Sequence, residues 1–148
     1  MISNIGVHLK VKDFNKSLAF YSALGFKKVF EYGPGKTIAE DYNGAVFEQN
    51  GAKLEIADGH RAVKSLVFKQ SMQSSKISLM LNVNNIGEII KRANKAGIKI
   101  AVGPRHYYWG TLEIVIKDPD GIVLVFISPY SKELAKRINT DEKFAKKT

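Results

Sequence analysis

The sequence predicts an α+β fold made of two tandem βαβββ modules, and three observations predict it. The first is an internal repeat. Residues 7–14 (VHLKVKDF) and 79–86 (LMLNVNNI) share one alternation of apolar and polar positions, with Val11 and Val83 separated by 83 − 11 = 72 residues. The second is that each alternating stretch runs into a helical pattern of equal length. Asp13 and Asn85 stand where N-caps are needed, and Gly25 and Gly97 close the patterns at the same offset, 97 − 25 = 72. The third is the punctuation downstream, where Gly33-Pro34-Gly35, Asn43-Gly44, Asn50-Gly51 and Asp118-Pro119-Asp120-Gly121 separate short β-rich runs.

Each element follows in order. The first strand carries Val7, Leu9 and Val11 on one face, so Gly6, His8 and Lys10 take the other. A helix follows from Asp13 to Gly25, then strands in KKVFEYG (27–33), GAVFEQN (44–50) and AKLEIAD (52–58). Residues 59–76 read as a polar linker. The second copy opens on Leu79, Leu81 and Val83, with Ser78, Met80 and Asn82 on the opposite face. It continues through a helix to Gly97 and strands in IKIAV (98–102), TLEIVIK (111–117) and IVLVFIS (122–128), the last two joined by the DPDG turn. The modules span about 4–58 and 76–129 within one domain, 1–130, and residues 131–148 form a basic tail, helical from about Lys132. Two four-stranded sheets of this kind are expected to join into one curved, cup-shaped mixed sheet with the helices on its convex face. His60 and His106 fall in expected loops.

Composition narrows the function classes. The 148 residues hold no cysteine, which excludes disulfides, thiolate metal sites and cysteine nucleophiles. No stretch is apolar for the ~20 residues of a membrane-spanning helix, and the first nine are too polar for a signal-peptide core, so a cytoplasmic protein is expected, with no membrane partner. The formal charge is +9, from 23 Lys and Arg against 14 Asp and Glu, with about a third of the excess in the tail. Charge without a zinc-finger spacing, a stacking-aromatic motif or a basic run longer than two does not point to nucleic acid.

VKDFNKSLAFYSALGF (11–26), with YWGTLEIVIKDPDGIVLVFIS (108–128) far downstream, resembles the vicinal oxygen chelate superfamily of glyoxalases, bleomycin-resistance proteins and extradiol dioxygenases. The resemblance covers residues 5–129. It implies a cup-shaped pocket, a homodimer, and in many members a divalent metal held at four symmetric points. Carried over by motif, those points are Gly6, Glu55, Ser78 and Val125. Only Glu55 is a strong ligand there. A divalent ion needs about three protein ligands, so no metal or other cofactor is expected, and a site shifted onto His8 and Glu55 still falls short.

The expected ligand-binding residues are His8, Glu55, Met80, Arg105, Tyr107, Trp109 and Val125. Tyr107-Tyr108-Trp109 is the densest aromatic cluster and holds the sole tryptophan. Alternation puts Tyr107 and Trp109 on one face and Tyr108 on the other, suited to stacking on a planar molecule. Lys10, Lys53, Arg61 and Arg105 would favour a neutral or anionic ligand over a cation. The expected function is therefore metal-independent binding of a small organic molecule. The alternative is a lyase, isomerase or dioxygenase-type enzyme with a displaced metal site, or with Glu55 as general base and Arg105 and Tyr107 stabilising an oxyanion. Against a role as base, Glu55 is expected to pair with Lys10 or Lys53.

Overall fold

The computed structural model describes residues 1–62, 64–71 and 76–147. The chain divides into two compact units, Met1–Ser71 and Met72–Thr148, each holding one βαβββ module. Residues 63 and 72–75, part of the expected linker, and residue 148 of the tail lie outside the described residues.

In the first unit, β1 (Gly6–Lys10) leads into α1 (Phe14–Ala23), followed by β2 (Lys28–Tyr32), β3 (Gly44–Gln49) and β4 (Ala52–Ala57). The Asp13 side chain accepts from the Lys16 amide at 3.0 Å and caps α1, and Gly25 closes it at φ +94°, a conformation that favours glycine. The sheet order is β1-β4-β3-β2, with β1 parallel to β4 and the other pairs antiparallel. The parallel pair requires a crossover, which the rest of the module supplies. The core gathers Val11, Tyr21, Leu24, Phe47 and Ile56, all 2% exposed or less. Tyr21 meets Phe20, Phe26 and Phe47 with ring centroids 5.1–6.0 Å apart. The stretch read as linker is partly folded: Ser65–Lys69 forms a 3-10 helix whose Phe68 is buried, since one aromatic side chain is enough to anchor it.

The second unit repeats the order with β5 (Ser78–Asn82), α2 (Ile86–Lys95), β6 (Ile100–Tyr107), β7 (Thr111–Lys117) and β8 (Val123–Pro129), then adds α3 (Lys132–Arg137). Its sheet runs β5-β8-β7-β6, again with the first pair parallel. Asn85 caps α2 through a 2.7 Å bond from the Gly87 amide, and Ser131 caps α3. Leu112, Ile114, Ile116, Leu124 and Phe126 form the buried face, 1% exposed or less. In the DPDG turn, the Asp118 carboxylate accepts from the amides of Asp120 and Ile122.

One strand differs from expectation. A strand is expected over 98–102, yet β6 starts at Ile100 and continues through Gly103 and Pro104 to Tyr107. It is the last strand of its sheet and its register shifts between Val102 and Arg105, so a proline is accommodated there and pairing resumes at Arg105↔Glu113. His106 thus lies in a strand, not a loop.

Among the described residues, no helix is long and apolar enough to cross a membrane.

Candidate functional site

Alternation along β1 places His8 on the face away from α1, and the parallel register sets it directly beside Glu55 of β4. His8 Nε2 lies 3.9 Å from Glu55 Oε1. Burial penalises the imidazolium more than the carboxylate favours it, and Lys10 and His60 add to that penalty, so the His8 pKa falls below its ordinary value and the ring is neutral at pH 7. Lys10 is likewise lowered by desolvation, which the Glu55 charge opposes.

The expected pairing of Glu55 with a lysine is not what the structure shows. The Tyr32 hydroxyl donates to Glu55 Oε1 at 2.6 Å. Burial and the neighbouring carboxylate push the Tyr32 phenol well above its usual range, so it keeps its proton and remains a donor. His60 is in a loop as expected, but its ring meets the edge of His8 at 5.8 Å, and Arg61 is engaged by Glu40 at 2.9 Å. Asn4, Gly6, Val7, His8, Lys53 and Glu55 line a groove of about 370 Å³.

The second unit arranges its candidates in two groups. Met80 of β5 sits beside Val125 of β8, the first fully outward and the second half-buried. Along the outer strand, the Tyr107 and Trp109 rings stack on each other at 4.4 Å and 7°, with Tyr108 set edge-on to Trp109. The indole N–H donates to Glu113 at 3.2 Å. Trp109 is thus exposed, whereas Tyr107 is half-buried between the indole and the Phe144 ring, 5.7 Å away. Arg105 lies over the Phe144 ring at 4.6 Å, and His106 stacks on Tyr130 at 4.0 Å while its Nδ1 meets Glu142 at 2.7 Å.

A match to the sequence profile of a known family spans residues 5–126. The chain belongs to the Glyoxalase/Bleomycin resistance protein/Dioxygenase superfamily. Among solved structures of this fold, it is similar to a fosfomycin resistance protein, FosX, from Listeria monocytogenes in complex with Mn(II) and a dihydroxypropylphosphonic acid. The identity there is 18%, with 93% of this chain and 100% of that one covered and a TM-score of 0.68. FosX from Mesorhizobium loti is 12% identical over 90% of this chain and 97% of that one, TM-score 0.64. A hypothetical protein of S. aureus, SA1046, is 22% identical over 86% and 95%, TM-score 0.61. No curated protein matches the sequence.

Membership in this superfamily raises the question of a divalent metal. Of the four positions at issue, Gly6 and Val125 carry no side-chain donor atom, Ser78 offers only a hydroxyl, and one oxygen of Glu55 accepts from Tyr32. Among the described residues, no group of three or more His, Asp or Glu is brought together. This donor set does not fit a divalent ion held by about three protein ligands.

Sequence reasoning missed Tyr32. Its only local signal was an aromatic at a strand end, and the feature that gives it a role, Gly44 directly opposite on β3, belongs to a different strand.

Proposed function

We propose that this protein binds a small organic molecule, neutral or anionic and planar, without a divalent metal. One observation carries the reading. Glu55, the one carboxylate at the four positions the superfamily resemblance marks, accepts from a phenolic donor beside a neutral imidazole, and carboxylate and imidazole together are fewer than the roughly three protein ligands that hold a divalent ion. The +9 charge and the neighbouring Lys10 and Lys53 favour an anion. Within the second unit, the exposed indole of Trp109 offers a flat molecule a stacking surface. FosX of Listeria monocytogenes was solved with a phosphonic acid, a small anion of the kind this charge pattern favours.

A second reading has its own support. A carboxylate fixed at 2.6 Å by a protonated phenol, with a proton-accepting imidazole 3.9 Å away, can serve as a general base in lyase or isomerase chemistry.

Metal analysis and fluorescence test both. The purified protein should hold no stoichiometric divalent metal. Planar neutral and anionic aromatics should quench Trp109 equally with and without chelator, and planar cations should not. One equivalent of metal, lost in Glu55→Ala, would overturn the metal-free reading. Trp109 emission unmoved by every class, with no binding of any class detected by calorimetry, would overturn binding. Turnover abolished by Glu55→Gln with binding retained would select the enzyme.

A further inference from the structure

Tyr32 reaches Glu55 across a gap that two glycines keep open. Tyr32 pairs with Gly44 across β2 and β3, and the Tyr32 ring lies over that glycine, where a Cβ would come within 1.9 Å of Cζ and 2.3 Å of the hydroxyl oxygen. Tyr42 meets the Tyr32 ring edge-on at 5.8 Å, and Tyr42 in turn rests on Gly59, whose Cβ would fall 2.4 Å from its own. Neither glycine adopts a positive φ, so backbone conformation does not call for glycine at either place. Space does. Asn43 and Asp58 tie the two segments together, with the Asn43 amide at 2.8 Å and its side-chain nitrogen at 3.0 Å from the Asp58 carboxylate, while the Asp58 amide donates back to the Asn43 carbonyl. Two glycines, two rings and one clamp deliver a single hydroxyl to a single carboxylate oxygen.

We propose that Tyr32 is a positioning residue: seated in the notch at Gly44, it fixes Glu55 through Oε1 and leaves Oε2 as the oxygen presented to the ligand. The consequence for binding rests on the reading that the ligand meets Glu55, but the positioning itself is a property of the free protein. A carboxylate with one oxygen committed to a fixed donor loses a rotational degree of freedom before the ligand arrives.

The test uses ligand-free protein labelled with ¹³C at glutamate side-chain carboxyls, with the Glu55 resonance identified by its loss in Glu55→Gln. Tyr32→Phe keeps the ring and removes the donor, whereas Gly44→Ala keeps the donor and evicts the ring. Both should move the Glu55 resonance at pH 7. A resonance unmoved in Tyr32→Phe overturns the proposal, because the hydroxyl then does nothing to Glu55, and movement in Gly44→Ala alone would assign the effect to ring bulk. If Gly44→Ala fails to fold, Tyr32→Phe decides alone. Failure of ligand binding in the quenching experiment leaves this result untouched, so the two readings fall separately.

Discussion

The two modules share a strand order and a register, so their equivalent positions can be compared row by row. In the first, one row across the sheet reads His8, Glu55, Val46, Phe30, and the neighbouring row ends in Gly44 and Tyr32. In the second, the corresponding rows read Met80, Val125, Val115, Val102, and Glu113 with Arg105. Along the row through His8 the parallel strand pair is polar in the first copy, whereas the equivalent Met80 and Val125 are apolar in the second. Topology has been repeated while the chemistry of this row has changed. The buried faces, which need only apolar side chains of suitable size, kept their pattern; the open faces did not.

The sharpest way to break this comparison is at Gly44, whose counterpart is Glu113. A methyl group at 44 has nowhere to go while Tyr32 stays, and overpacking together with loss of a charge-assisted hydrogen bond should cost about 3 kcal/mol. Urea unfolding of Gly44→Ala should show it, against a change under about 0.5 kcal/mol for Glu113→Gln, a half-buried surface position. Equal losses at the two positions would mean that the rows are not distinguished in this way.

This contrast also explains what was legible in the sequence. The repeat, both helices with their caps, and the strands that alternate regularly follow from local rules: Asp13 and Asn85 cap because the next amides need an acceptor, and Leu79 and Leu81 face inward because side chains alternate. His8 and Glu55 were legible as neighbours on one face. The hydrogen bond between Tyr32 and Glu55 was not, since it depends on which residue faces Tyr32 from another strand. The same holds for β6, whose continuation past Pro104 depends on β7 beside it, and for His106, whose partners Tyr130 and Glu142 lie far along the chain.

A second prediction turns the His8/Met80 difference into a pH slope. The folded His8 pKa is depressed below its unfolded value of 6.5, so the unfolded chain takes up the proton first. Stability should be undiminished above pH 7 and fall as pH drops through 6.5 toward the folded pKa, below which the loss is complete. His8→Gln should flatten that part of the profile by an amount on the order of 1 kcal/mol or less, discounted for the partial exposure of the ring. Met80→Gln, at the equivalent place, should leave the slope as it is. A profile unchanged in His8→Gln would remove His8 as its source.

The smallest effect is expected where the modules differ in how their outer strand ends. β2 and β6 each close their sheet, and β2 leaves Val29 and Phe30 exposed at 48% and 42%. β6 is instead met by the tail. Asp141 bridges to Arg105, the His106 and Tyr108 amides donate to the carbonyls of Asp141 and Phe144, and the Phe144 ring packs on Arg105 and Tyr107. Unpaired edge groups invite other strands, and this tail segment satisfies them locally. Phe144→Ala removes the ring contacts but not the carbonyls, so global stability should fall by only about 0.5–1 kcal/mol. The informative signal is local. Amide exchange at His106 and Tyr108 should quicken several-fold while exchange along β2 stays constant, because opening of the tail is a sub-global event confined to one edge. Exchange that quickens equally at both edges would show that the tail secures the whole fold rather than the single strand it covers.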